Sequence, residues 1–558
     1  MTRYFEVVKR DGPARIGRLL LEKRVETPYI LRSDLLEKGE GDLPELIRGS
    51  VIPWDISQDE LPEGDLFTLR SAKLLVRDSK RLVRVITGIR EVIPPDTALY
   101  TPALATPTNL ALLVYLGVDI VDDIIPTIRS YQGVYLTRDG EIAISRLKSP
   151  LCSCEICSNH SIDEMRDDTS CKLLLSHNLA TFNEELRVIY HRIENGMIRE
   201  YVEYKCRLDP YLTEALRLLD AGSSYLERRT PAGRRTPLIV SSIESLDRIE
   251  VRRFIERVRV RYTPHSGVLL LLPCSRRKPY SISKTHRTII DVIRKRRAGL
   301  HEVILTSPLA LVPRELELVY PAAHYDTPVT GRWFEEELNL VRRALASLLD
   351  RGSYTDMIVH VGGDLMDLCR EVGELFGLDV HVTVKDGSEL SHESLESLRS
   401  KVFELVSPGS PPILTRYDII SDTLDYQFGP GAGRLFLRED AEIKGRIQSC
   451  SIYERGGRVL LGRMIPDYGF IALTPEGAER LRDHGSYQVK IGDFVPKGSI
   501  LAPGVISADH GIRPGDEVII LGDGLIGTGK AVMSGWEMER ATRGVAVMVR
   551  GIKEVKPE

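Results

Sequence analysis

Gly267-Val-Leu-Leu-Leu-Leu-Pro-Cys-Ser-Arg-Arg-Lys-Pro-Tyr280, followed by Ser283 and His286, decides how the middle of this chain is read. The apolar run Gly267 to Leu272 predicts a buried strand, since it is short, uninterrupted and closed by a proline. The loop after it carries a thiol, a lysine, a tyrosine, serines and a histidine. It then enters a helix whose Ile289, Ile290 and Ile293 recur at helical spacing. Loops at the carboxyl ends of strands are where α/β folds place chemistry. Ser281 or Ser283 is placed to cap the helix. The helix start, with Arg276, Arg277 and Lys278, is expected to lower the Cys274 pKa, and His286 to reach back as proton donor or acceptor. The alternative is a packing thiol at Cys274 with Lys278 as a phosphate anchor.

Strands near 238–240, 268–272, 303–305, 357–361 and 380–384 alternate with helices near 287–297, 334–349 and 365–376. This alternation predicts a mainly parallel sheet over 238–405. Residues 1–225 also read as α/β, with a hairpin around Asp139-Gly140 and one long helix from about 186 to 220. The Arg- and Pro-rich stretch 226–237 reads as a linker, and Pro408-Gly-Ser-Pro-Pro412 as another boundary. Residues 413–484 form a small α+β domain, and 485–558, rich in glycine and turn signals, a small β-barrel. The 558 residues are thus expected to form an α/β multidomain protein.

The hydrophobic fraction of 42% and charged fraction of 28% are those of a soluble protein. No apolar run nears the roughly 20 residues that cross a bilayer, and no signal-peptide core follows Met1. A cytoplasmic protein without a membrane partner is expected. Between Leu226 and Arg297 there are 19 Lys plus Arg against 6 Asp plus Glu. Either this is a solvated basic surface or, given the reactive loop inside it, an anionic substrate such as nucleic acid is bound there.

Cys152-Ser-Cys-Glu-Ile-Cys157 places three of the eight cysteines in one turn-rich segment. In a reducing compartment this spacing predicts structural Zn2+, which is tetrahedral and needs a fourth ligand. His177 and His160 are the candidates, and Cys171 is a spare thiol. This cysteine pattern, followed by His177-Asn178-Leu179, resembles the zinc site of tRNA-guanine transglycosylases, and on that pattern His177 is the fourth ligand. The stretches Gly117 to Thr127, Ala14 to Arg18 and Glu26-Thr27-Pro28 resemble the same family. The likeness covers most of residues 1–225 with a large deletion and implies a degenerate (β/α) barrel. The family's Asp-Ser-Gly-Gly-Phe-Gln and Gly-Gly-Leu-Ala-x-Gly-Glu segments are absent. Asp122 matches its nucleophilic aspartate by position, but Ile128 and Tyr131 stand where arginines are expected. Asp122 is therefore read as a relic or structural residue.

Gly498 to Val505, Ile512 to Val518 and Gly527 to Ala531 resemble a PUA domain, which implies RNA binding. The pattern Pro-Cys-x3-Lys-Pro-Tyr-x2-Ser-x2-His, complete from Pro273 to His286, resembles the archaeosine synthase family, as do Ser307 to Glu317 and His324-Tyr325-Asp326. That resemblance spans the whole chain. It implies a substrate tRNA carrying 7-cyano-7-deazaguanine in its D-loop and addition of an amine, free lysine, to the nitrile to form an amidine. A radical S-adenosylmethionine partner enzyme then releases archaeosine. Cys274, Lys278, Tyr280, Ser283 and His286 become the catalytic candidates. Arg276, Arg277, Glu315 and Asp326, with Glu317, become the substrate-binding candidates. The alternatives are a transglycosylase that inserts the deazaguanine base and a non-catalytic tRNA-binding subunit. The sequence leaves open whether the chain forms a homodimer.

Overall fold

A computed structural model of the chain describes residues 4–20, 24–34, 46–48, 50–329 and 331–555. It divides into two units. The first comprises 1–231 with 500–506 and 532–546, the second 232–499 with 507–531 and 547–558.

In the first unit, Tyr29–Leu31, Val51–Ile52, Leu66–Leu69, Ala98–Tyr100 and Ile120–Asp122 form a parallel sheet. Tyr29–Leu31 and Val51–Ile52 are its two edges, so among the described residues the sheet stays open. Five short strands fall below the eight with which small (β/α) barrels close around filled interiors. The remnant of a barrel implied by the resemblance is here an open sheet. Its core includes Leu31, Leu66, Ala98, Tyr100 and Ile120, with Phe5 from an antiparallel meander.

The single long helix expected over 186–220 is three: Lys172–Glu194, Ile198–Cys206 and Pro210–Ala221. Gly196 breaks the first junction with a φ of 64°, which a β-carbon disfavours. At the second, Asp209 caps a new helix that has Pro210 in its first turn. Nor is 226–237 a free linker. Helix Ser223–Arg229 leads into it, and Arg228 and Arg229 each lie 2.6 Å from Glu91. The Arg229 guanidinium is buried and sits 5.4 Å from the centre of the Trp536 ring. The division between the units falls after Pro231, within this stretch.

The second unit is built around β1 (Ser266–Pro273), β2 (Leu300–Thr306), β3 (Ala310–Pro313), β4 (Ser353–Val359) and β5 (Asp379–Val382), in the order β3-β2-β1-β4-β5. All pairs are parallel except β2 with β3. Leu269 to Leu271, Val303 to Leu305 and Met357 to Val359 are fully buried, so the apolar runs reflect burial on both faces of the sheet. Helices α1 (Ile249–Arg261), α2 (Lys284–Ile293), α3 (Glu335–Arg351), α4 (Asp364–Leu375) and α5 (His392–Leu405) connect and cover the strands. The chain leaves β1 toward β2 on one side and later places β4 on the other. The order therefore reverses at β1 and β4, the switch point at whose carboxyl ends sheets of this kind form a crevice.

Much of the basic window is used inside this unit. Arg248, Arg253 and Arg257 are buried, Arg257 donates to the Tyr487 hydroxyl at 3.0 Å, and Arg261 donates to the carbonyls of Tyr426 and Gln427. The exposed cations are Arg235, then Arg252 and Arg259 on α1, and a larger group on and after the reactive loop: Arg276, Arg277, Lys284, Arg287, Arg294 and Lys295.

Beyond the central sheet, helix α6 (Arg416–Phe428) precedes an antiparallel sheet of Ala441–Lys444, Ser451–Glu454, Leu460–Ile465 and Phe470–Leu473. A further sheet includes Gln488–Ile491, Glu517–Gly522, Leu525–Ala531 and Val545–Glu554. Among the described residues no helix is long and apolar enough to cross a membrane.

Candidate functional site

Cys274 follows β1 directly and therefore stands at the crevice where the strand order reverses. The hydroxyl of Thr306, the last residue of β2, lies beside its sulfur. The expected lowering of the thiol is not what the structure gives. Burial pushes the Cys274 thiol up, and the Lys278 ammonium and the neighbouring Thr306 hydroxyl only partly oppose this. Arg276 and Arg277 point into solvent, where water screens them from the sulfur. Lys278 is shifted the opposite way. Burial lowers it, while Cys274 and Asp326 pull it back up. Its Nζ lies 3.7 Å from the centre of the Tyr325 ring, a cation–π contact.

Tyr280 is fully buried, and its hydroxyl is 2.8 Å from that of Tyr325, which in turn reaches Thr306. The thiol, the amine, Thr306 and the two phenols thus form one contiguous polar group. Burial holds both phenols well above their ordinary range, so they are neutral donors. Asp326 sits exposed beside Lys278, at the end of a two-residue strand paired with Leu238–Ile239. Glu389 completes the rim. Its charge acts on Cys274, and its Oε1 accepts from the Gly362 amide at 3.3 Å.

Ser283 and His286 hold the loop's shape. Ser283, not Ser281, caps α2 by accepting from the His286 amide at 3.1 Å. His286 is buried. Its Nε2 donates to the Pro273 carbonyl at 2.9 Å and its Nδ1 accepts from Arg314 at 2.8 Å. Burial and the Arg314 charge push its pKa down to about 3, so the ring is neutral and both nitrogens are engaged. Glu317 accepts from the Ser281 amide at 3.0 Å and from Arg314 at 2.8 Å, tying the same loop down from beneath.

Glu315 is not brought to this crevice. The hairpin from β2 to β3 turns the chain back, so Glu315 lies level with His301, five strand residues from Thr306, about 17 Å at 3.3 Å per residue. Thr306, Tyr325 and Glu389 are site residues to which the sequence assigned no role. They come from three separate stretches of chain, two of them strand ends, and carry no local signal.

In the first unit, the ligand atoms of Cys152, Cys154, Cys157 and His177 all lie within 4.8 Å of one another, a cluster able to hold a metal ion. The three sulfurs are 3.6, 3.5 and 3.3 Å from His177 Nδ1. Tetrahedral zinc, with Zn–S near 2.3 Å and Zn–N near 2.0 Å, separates such ligands by about 3.5 Å. His177 Nε2 donates to the Leu136 carbonyl at 2.9 Å, which leaves the Nδ1 lone pair for a metal. Asn178 bonds to the Leu136 amide and the Val134 carbonyl and so fixes the strand that carries that acceptor. Neither His160 nor Cys171 belongs to the cluster. Asp122 is fully buried and accepts from the Tyr100 hydroxyl at 2.7 Å and from the amides of Ala103 and Ile124.

Residues 65–210 match Queuine tRNA-ribosyltransferase, 251–402 a domain of unknown function (DUF5591), 418–488 the patch-forming domain C2 of tRNA-guanine transglycosylase, and 490–553 the PUA domain. The archaeosine synthase subunit alpha of Methanosarcina acetivorans is 39% identical over 100% of both chains. The archaeosine synthase of Haloferax volcanii is 36% identical over 99% of this chain and 100% of its own. A tRNA-guanine(15) transglycosylase of Methanothermobacter thermautotrophicus is 28% identical over 84% of this chain and 68% of its own. Mixed α/β with a transglycosylase-like domain and a C-terminal PUA domain, the chain belongs to the archaeosine synthase family.

Proposed function

We propose that this protein converts the nitrile of 7-cyano-7-deazaguanine, already in the D-loop of a tRNA, into an amidine by adding the amine of free lysine, with Cys274 as nucleophile. The observation that carries the reading is the meeting of the Cys274 thiol, the Lys278 amine and the buried hydroxyls of Thr306, Tyr280 and Tyr325 in one contiguous polar group. Burial disfavours the charged form of both the thiol and the amine, so a proton leaving the sulfur has a basic amine beside it to receive it.

In the first step a C–S bond forms at the nitrile carbon and the thiol proton ends on the nitrile nitrogen, giving a thioimidate. Lys278 relays that proton. The neutral hydroxyls of Tyr280 and Tyr325 stabilise charge developing on nitrogen. The amine nitrogen then adds to the same carbon, the C–S bond breaks, and the sulfur leaves with a proton from the amine. Atoms balance and no electrons are transferred. Asp326, exposed beside Lys278, is suited to the α-ammonium of lysine. Ser283 and His286 act as positioning residues. Arg276, Arg277 and the exposed cations of α2 would meet tRNA phosphates together with the PUA domain. A radical S-adenosylmethionine enzyme would take the amidine product on to archaeosine.

Base exchange by Asp122 has less support, because its carboxylate oxygens are already committed to a hydroxyl and two amides. The protein incubated with nitrile-bearing tRNA and free lysine should yield a nucleoside heavier by one lysine, read by mass spectrometry. Exchange of labelled guanine without that gain would replace this reading with a transglycosylase. Neither product would replace it with a tRNA-binding subunit.

The Cys152, Cys154, Cys157 and His177 cluster fits structural zinc, since four protein ligands leave no open position for chemistry. Replacing His177 with alanine should remove the thiolate-bound ion, measured as zinc per chain, and lower the melting temperature of the first unit. Full zinc retention would count against His177 as a ligand.

A further inference from the structure

A second constellation lies at the opposite end of β1 from Cys274. His265 immediately precedes β1, Glu315 follows β3, and Asp422 stands on α6. One ligand atom from each lies within 4.8 Å of the others. His265 Nε2 is 3.2 Å from Glu315 Oε1, yet it forms no hydrogen bond with it, because the ring nitrogen's axis is off the line to that oxygen. Asp422 Oδ2 is likewise shielded from solvent and has no hydrogen-bond partner. Two solvent-shielded polar atoms of different chemistry, Asp422 Oδ2 without a partner and His265 Nε2 held only by a charge contact, therefore face the same carboxylate, a combination that native folds rarely keep without a ligand.

The surroundings orient the carboxylate. The Tyr354 hydroxyl donates to His301 Nδ1 at 2.7 Å. His301 Nε2 donates to the Tyr262 hydroxyl at 2.7 Å, and Tyr262 donates to Glu315 Oε2 at 3.2 Å. This chain of donors fixes one oxygen of Glu315 and turns the other toward His265 and Asp422, as the outer partners of metal-ligating carboxylates do. Charge points the same way. Asp418 and Asp425 stand on the same helix as Asp422, so carboxylates gather on this side of the cluster.

We propose that His265, Glu315 and Asp422 bind a divalent transition-metal ion that joins α6 to the amino end of the central sheet. One imidazole and two carboxylates suit Zn2+, Mn2+ or Fe2+. The 3.2 Å separation favours a metal over a substrate ammonium. Ligands about 2.1 Å from a metal lie about 3.0–3.4 Å apart, whereas acceptors about 2.9 Å from an ammonium nitrogen lie about 4.7 Å apart. The site is the length of β1 away from Cys274, roughly 25 Å, so the ion's role is to hold structure.

The test uses full-length protein stripped with a chelator and titrated with Co2+. Two equivalents are expected. One should show the near-ultraviolet thiolate-to-cobalt charge transfer of the cysteine cluster, and the other only weak visible bands of nitrogen and oxygen ligation. Asp422→Asn, which keeps the shape of the side chain, and His265→Gln should each weaken the second equivalent at least tenfold and leave the thiolate band intact. Reloading should raise the melting temperature of the wild type more than that of either variant. Wild-type protein that binds no equivalent with nitrogen and oxygen signature would overturn the proposal, whatever the variants do. So would two unchanged equivalents in both variants.

Discussion

Cys274→Ala is expected to lower amidine formation by roughly 10³-fold or more while leaving tRNA affinity unchanged. Residues that act as one catalytic unit fail together when its nucleophile is removed. Without the sulfur, lysine must attack an unactivated nitrile directly, and the crevice can only hold the reactants together. Lys278→Met removes the relay and should cost about 10²–10⁴-fold, the usual span for a positioned acid or base. It also removes the charge that pulls the thiol down. The acid limb of kcat/KM should therefore move to higher pH in Lys278→Met, a shift that a merely structural lysine would not produce. Single-turnover assays by nucleoside mass spectrometry measure the rates. With amine withheld, wild-type protein should accumulate a covalent tRNA adduct on a denaturing gel, and Cys274→Ala should not. Near-normal turnover in Cys274→Ala would eliminate the covalent route.

The sequence carried the features that are local. The apolar run before Cys274, the serine cap of α2, the hairpin at Asp139-Gly140 and the spacing of Cys152, Cys154 and Cys157 each depend on residues a few positions apart, and each is present. What it could not carry was set at long range. The order β3-β2-β1-β4-β5 decides that Thr306, Tyr325 and Glu389 meet at Cys274, and no periodicity encodes strand order. Glu315 shows the same limit. Close in sequence to Thr306, it is carried to the far end of the sheet by one antiparallel return, and so leaves the substrate candidates. The arginines of α1 illustrate a second limit. Their count suggested a surface for nucleic acid, but the surroundings of Tyr426 and Tyr487 use several of them as internal hydrogen-bond donors. The charges left facing solvent are fewer: Arg252 and Arg259 on α1, Arg235 before it, and the group that follows the reactive loop.

The central sheet should also come apart in mild acid. His286, His301 and His360 are fully buried, and burial is the largest cause of their depressed values, about 3, about 4 and about 4. In the unfolded chain a histidine titrates near 6.5. Each group therefore binds a proton in the unfolded state before it does so in the fold. Its stabilising contribution is present above about pH 6.5 and is lost as pH falls toward the folded value. Three such groups give a slope of about 4 kcal/mol per pH unit at its steepest, and a loss on the order of 10 kcal/mol by pH 4, comparable with the whole stability of a domain. Glu517, raised to about 6 by burial, and Asp516, also raised, bind protons earlier in the fold and offset part of this. The buried Glu302, held down to about 2 by Arg314 and Arg297 against its own desolvation, adds loss only at lower pH. The physical cause is plainest at His286. A second ring proton would face the Arg314 guanidinium across 2.8 Å, and relieving that clash means breaking the contacts that hold the loop to β1. Urea midpoints for peptides of β1 and β2, read by pulse-labelled hydrogen exchange from pH 7.5 to about pH 4.5, should fall steeply below about pH 6.5. Midpoints flat across that interval would mean that these rings take up protons without cost, and the neutral histidine pinned between Pro273 and Arg314 would then not be what holds the reactive loop in place.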